Sequence, residues 1–160
     1  MPLHEFTHER LARSVRVHVR GVHEVAAGSS KALEDLSRLL LGRAGGGSPL
    51  ERFRDQVIRG ASWIQSPDGK VATRLIGDVQ DDGKLHQLFL ERFYLPRRSI
   101  YVNLMKEAIA AGELRPGTNI DLLIDVLHGP IYFRAILGHA APDRAFVTEL
   151  VDQVLPAFTS

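Results

Sequence analysis

Residues 120–137, IDLLIDVLHGPIYFRAIL, hold twelve apolar side chains in eighteen positions. On a helical wheel they cover nearly the whole circumference, and a helix that is hydrophobic all round must be buried all round. In a bundle of five or six helices an outer helix has only one buried face. The other face needs a second cover, and another copy of the chain is the simplest one. Gly129-Pro130 sits in the middle of this run. In a helix interior these residues cost roughly 1 and 3 kcal/mol relative to Ala, so a break or a bend is expected there. Such a bend could shape the core or the interface between copies, or it could open space for a ligand.

The rest of the chain reads as helices. GRAGGGSP at 42–49 is a glycine loop, and Ser48-Pro49-Leu50-Glu51 opens a helix with a cap, a first-turn Pro and a capping-box Glu. Leu50, Phe53, Val57, Ile58, Ala61 and Ile64 then recur at helical spacing. Ser66-Pro67 starts a second helix with Val71, Leu75 and Val79 as its stripe. A third helical region spans 84–111, with Leu85, Leu88 and Phe89 before Pro96, and Ile100, Leu104, Met105, Ala108 and Ala111 after it. Pro96 predicts a kink or break. Asn119 caps the fourth helix, which is the apolar run, and a fifth follows Pro142. No segment after residue 48 alternates with period two. The reading is all-α, an antiparallel bundle of about five helices plus a short N-terminal helical segment.

A chain of 160 residues without cysteine has no disulfide, no thiolate metal site and no Cys nucleophile. The formal net charge is +1; residues 1–47 hold 7 Lys/Arg against 5 Asp/Glu. That is a mildly basic head and weak evidence for nucleic acid. No apolar run is long enough to span a membrane, and MPLHEFTHER lacks a signal-peptide core. A cytoplasmic protein with no membrane partner is expected. His4 and His8, and His18 and His23, lack a third ligand, so no metal site is expected. Arg10, Arg13, Arg16 and Arg20 would form a basic stripe on a helix, but interleaved acids favour a solvated face. No phosphate loop, catalytic triad or carboxylate pair stands out, so neither an enzyme nor a cofactor is expected.

The aromatic residues are the inward candidates for a pocket that takes a mostly apolar small molecule. Trp63, Phe89, Phe93, Tyr101 and Tyr132 are its expected walls, with Tyr94 and Phe133 as further candidates. His128, one residue before Gly129, is its expected polar group. The expected interface between two copies comprises Leu123, Leu127, Ile131 and Ile136, with Phe146, Leu150 and Val154 of the last helix.

Residues 48–160 resemble the C-terminal effector-binding and dimerisation domain of TetR-family transcriptional regulators. The resemblance is carried by SPDGKVATRLIGDVQDD, LERFYLPRR, AIAAGELRPGTNIDLLIDVLHGPIYFRAIL and VTELVDQVLPAF. It implies a four-helix dimer interface built from the last two helices of each copy. It further implies a regulator, expected to be a repressor, that senses a small hydrophobic effector and binds operator DNA through an N-terminal helix-turn-helix unit. GSSKALEDLSRLLL fits the last helix of that unit, beginning near Ser29. Residues 1–28 do not fit the rest, and SVRVHVRGV alternates like a strand. They read as an atypical segment, disordered or the remnant of a DNA-binding unit, ahead of an α-helical body at 29–160. Loss or replacement of the reading head is the expectation here. The alternative function is a headless dimerisation or ligand-sensing module that does not bind DNA itself.

Overall fold

The computed structural model describes residues 46–81 and 83–160. The expectations for residues 1–45, including the head at 1–28 and the helix near Ser29, lie outside the described residues. So do the side chains of Val71, Leu75, Leu85 and Leu88.

Helix α1 spans Pro49–Ile64. The predicted capping box is present. Ser48 Oγ accepts the Glu51 N–H at 3.2 Å, and Glu51 Oε2 accepts the Ser48 N–H at 2.9 Å. Phe53, Val57, Ile58, Ala61 and Ile64 are buried, as their spacing predicts, and so are Gln56 and Gly60. Helix α2 (Pro67–Asp78) starts where Ser66 Oγ accepts the Gly69 N–H at 3.1 Å, and it runs into a 3-10 turn at Val79–Asp81.

Helix α3 (Gly83–Phe89) passes through a π turn (Leu90–Tyr94) into α4 (Leu95–Ala110). Pro96 does not break the chain of turns. It lacks an N–H, so the carbonyl four residues back has no donor. The turn ahead of it widens instead, with the Leu95 N–H bonding the Leu90 carbonyl five residues back. The buried row of this region is Phe93, Arg97, Tyr101, Met105 and Ala108, whereas Ile100 and Leu104 are half-buried and Ala111 is exposed.

Helix α5 covers Ile120–Leu137, capped by Asn119 Oδ1 on the Leu122 N–H at 3.0 Å and ended by Gly138 at φ 66°. Only glycine adopts that φ without strain. The helix is unbroken across Gly129-Pro130. The donor that Pro130 lacks would have met the Val126 carbonyl. Val126 is exposed, so solvent can satisfy that carbonyl. Helix α6 (Arg144–Val154) begins under an Asp143 cap and closes in a 3-10 turn at Leu155–Ala157. The end of the chain then pins the α4–α5 turn. The Arg115 N–H bonds the Phe158 carbonyl at 3.0 Å, and Leu114 lies fully buried beside it.

The all-α bundle packs around α1, which touches α2, α4, α5 and α6. Its core joins Phe53 and Val57 to Met105, Leu123, Leu127, Ile131, Val147 and Val151. This corrects the expectation for three interface residues. Leu123, Leu127 and Ile131 are at most 2 % exposed within a single chain, so they have no surface left to offer a partner. The apolar residues that α5 leaves bare are Leu122, Val126, Phe133, Ile136 and Leu137. Of the predicted set only Ile136 belongs with them, while Phe146, Leu150 and Val154 of α6 are half-buried.

Gly69 is where α2 crosses the end of α1. A Cβ there would lie 2.1 Å from the Trp63 carbonyl oxygen and 2.6 Å from Ile64 Cα, so backbone would have to move. Gly69→Ala is expected to destabilise the fold by ~2 kcal/mol, in the range for overpacked sites. Gly77→Ala, whose Cβ meets nothing within 4 Å, is expected to be neutral or to stabilise by up to ~1 kcal/mol. Thermal melts of both variants check this, and equal melting temperatures would remove the close-approach argument.

Candidate functional site

A cavity of about 50 Å³ lies between α4 and α5. Phe93 and Tyr94 enter from the π turn, and Arg97, Arg98 and Tyr101 from α4. Ile124, His128 and Tyr132 supply the facing wall at i, i+4 and i+8 of one helical row, with Asp125 beside them. The sequence-predicted Phe93, Tyr101, His128 and Tyr132 therefore converge. Trp63 and Phe89 do not line the cavity. They back it through Phe93, with ring centroids 6.0 and 5.1 Å from that residue. Phe133 points out to solvent, because it sits on the opposite side of α5 from His128. Gly129 and Pro130 do not line the cavity, although His128 directly before them does.

The His128 ring packs on Tyr101 at 4.7 Å between centroids, and its Nδ1 lies 2.9 Å from the Ile124 carbonyl. A carbonyl oxygen only accepts, so Nδ1 carries the proton and Nε2 holds a lone pair. Burial pushes the His128 pKa down to about 4, against the raising effect of the Ile124 bond; Arg97 and Arg98 add to the lowering. The imidazole is neutral at pH 7. Tyr101 is pushed above its ordinary value, again mainly by burial, while the nearby Arg97 guanidinium opposes that shift. Its ring meets Phe53 edge-on at 5.7 Å, which ties the cavity floor to the core.

Two arginines that the sequence reading passed over organise the site. Arg98 clamps α4 to α5, reaching Asp121 at 2.8 Å and Asp125 at 2.9 Å while also donating to Tyr94 Oη at 2.8 Å. Arg97 is buried, with its guanidinium carbon 5.2 Å from the Trp63 ring and 4.9 Å from the Phe93 ring. The available signal was the spacing, since Arg97 falls four residues after Phe93 and four before Tyr101. A Pro-Arg-Arg string reads as surface charge unless that row is drawn first.

A larger groove of about 600 Å³ separates α2 from the end of α5, lined among others by Lys70, Thr73, Arg74 and Arg134. It is an open trough without aromatic walls. The smaller α4–α5 cavity is the one walled by aromatic side chains, Phe93, Tyr94, Tyr101 and Tyr132 among them. Among the described residues no group of three or more His, Asp or Glu could hold a metal ion, and no helix is long and apolar enough to cross a membrane.

The Tetracyclin repressor-like, C-terminal domain family matches residues 43–154. The uncharacterized HTH-type transcriptional regulator YdeS of Bacillus subtilis is 32% identical over 105 residues, which is 66% of this chain and 53% of YdeS. The uncharacterized HTH-type transcriptional regulator Rv1556 of Mycobacterium tuberculosis is 27% identical over 111 residues, 67% of this chain and 55% of its own. The chain thus spans about half the length of these relatives. The crystal structure of the TetR family transcription regulator SCO0332 aligns with a TM-score of 0.70 at 25% identity, covering 98% of this chain and 89% of that one.

The neutral, buried state of His128 makes a prediction about acid. Unfolded, its imidazole titrates near the ordinary 6.5; folded, near 4. Between those values the unfolded chain binds the extra proton, so stability falls as pH drops from 6.5 toward 4. The His128 contribution is at most ~3 kcal/mol below pH 4, and less where water reaches the ring. His128→Gln is expected to flatten this part of the profile. Urea denaturation of both proteins from pH 7.5 to 4.5 measures it, and parallel profiles would refute it.

Proposed function

The chain belongs to the TetR family of transcriptional regulators, and from that premise we propose that it is the sensing and dimerising body of a repressor controlled by a small, mostly apolar effector. The observation that supports this reading is that α5 has two distinct sides. Ile124, His128 and Tyr132 line the cavity on one side, and Leu122, Val126, Phe133, Ile136 and Leu137 stand bare on the other. A soluble chain rarely leaves such a row uncovered. In this reading two copies pack their α5 and α6 helices together, with Ile136, Phe146, Leu150 and Val154 retained from the sequence expectation. The effector enters between α4 and α5 and favours one of two body conformations, which changes operator affinity through its differential binding to them.

Phe133, 59 % exposed, is the most informative position, because replacing it disturbs no core contact. The wild-type chain is expected to sediment at twice its 17.8 kDa mass. Phe133→Arg is expected to weaken the dimer by about a hundredfold, as loss of a central aromatic anchor does, without a change in helix content. The same substitution should abolish any specific shift of DNA from the chain's own upstream region, since reading two half-sites takes a dimer. A wild type at single-chain mass would sink the dimer. A dimer that binds that DNA no better than unrelated DNA would sink the operator part.

A further inference from the structure

Arg97 is the least satisfied charged group among the described residues. The residue is 8 % exposed, and its Nη1 is fully buried with no hydrogen-bond partner. A guanidinium does not lose its proton in a protein, so burial cannot neutralise it as it neutralises His128. Two aromatic faces, Trp63 and Phe93, cover it, and Tyr101 Oη is its polar neighbour. Rings and a hydroxyl offset only part of the lost hydration of a full charge. A carboxylate would complete the site, yet no described Asp or Glu pairs with it. Asp125 lines the same cavity but is held by Arg98 at 2.9 Å.

We infer that the α4–α5 cavity takes an amphipathic organic acid, whose carboxylate pairs with Arg97 and whose apolar body lies against Phe93, Tyr101 and Tyr132. This rests on the sensor reading above and names the chemical class of its effector. The arrangement favours a carboxylate over a phosphate. The Arg97 guanidinium, with no carboxylate partner among the described residues, is planar and matches a planar carboxylate. The neighbouring Asp125 carboxylate repels a dianion more than a monoanion. The neutral His128 adds no second positive charge. A volume of about 50 Å³ admits the head group and a few carbons, so a larger body requires α4 and α5 to part.

The test uses the full chain and matched neutral and ionised probes, butyrate against butyramide and benzoate against benzamide, at pH 7. Trp63 is the only tryptophan of the chain and sits against Arg97, so its fluorescence reports occupancy. Each acid is expected to bind about tenfold or more tightly than its amide, the usual effect of a buried charge-assisted hydrogen bond. Arg97→Met should erase that preference and leave amide binding in place. Lys70→Met with Arg74→Met, in the open groove, should leave the preference intact. Equal binding of acid and amide by the wild type would overturn the inference while sparing the sensor. An acid preference that survives Arg97→Met, or that is lost in the groove variant, would overturn it as well. Binding of neither probe would sink both readings. Should Arg97→Met fail to fold, Arg97→Lys and the wild-type ratio still decide, because neither depends on that variant.

Discussion

The burial of α1 is the constraint on which the rest of the structure depends. Seven of its sixteen residues are buried, from Phe53 to Ile64. A helix buried that widely needs neighbours on several sides, and α2, α4, α5 and α6 are those neighbours. Of these, α4, α5 and α6 contribute apolar residues to the core cluster that contains Phe53 and Val57. Two ion pairs at the rim, Arg52 with Glu107 and Arg54 with Asp152, join α1 to α4 and α6. They are partly exposed and add little energy, so the apolar contacts decide the arrangement.

The π turn before Pro96 shows how a local defect sets the site. An α-helix turns about 100° per residue, so one extra residue in a turn rotates everything after it by about that much. The turn absorbs the bond that Pro96 cannot make. It also fixes the row Arg97, Tyr101, Met105 and Ala108 toward α1 and α5. Met105 and Ala108 would pack in any apolar core. Arg97 would not, and its presence in that row is the signature of a place that the core alone does not explain.

Much of this was legible in the sequence because caps and stripes are local. Ser48, Ser66 and Asn119 cap where their chemistry predicts, and the α1 stripe was readable from Phe53 to Ile64. At Gly129-Pro130 the expectation was a break or a bend, and the helix is unbroken there, because burial that only the fold reveals acts against the break. Leu123, Leu127 and Ile131 hold the inner face of α5 against the core, and that burial outweighs one missing hydrogen bond on the exposed side. The same all-round apolar character concealed which residues face out, so three core residues were assigned to an interface. Arg97 and Arg98 were missed because charge usually means surface, and a sequence alone does not say which of two adjacent arginines turns inward.

The division of α5 into two faces also constrains how a signal could pass. Ile124, His128 and Tyr132 touch the cavity, while Val126 and Phe133 face away from it on the same rigid rod. Between them the core row Leu123, Leu127 and Ile131 is close-packed. A packed row resists compression, so a ligand that parts α4 from α5 displaces the helix as a body more readily than it dents it. The Arg98 clamp on Asp121 and Asp125 must stretch or follow when that happens. Under the proposed reading, whatever moves the inner wall of the cavity moves the outer apolar row with it, and the outer row is where the second copy would feel the change.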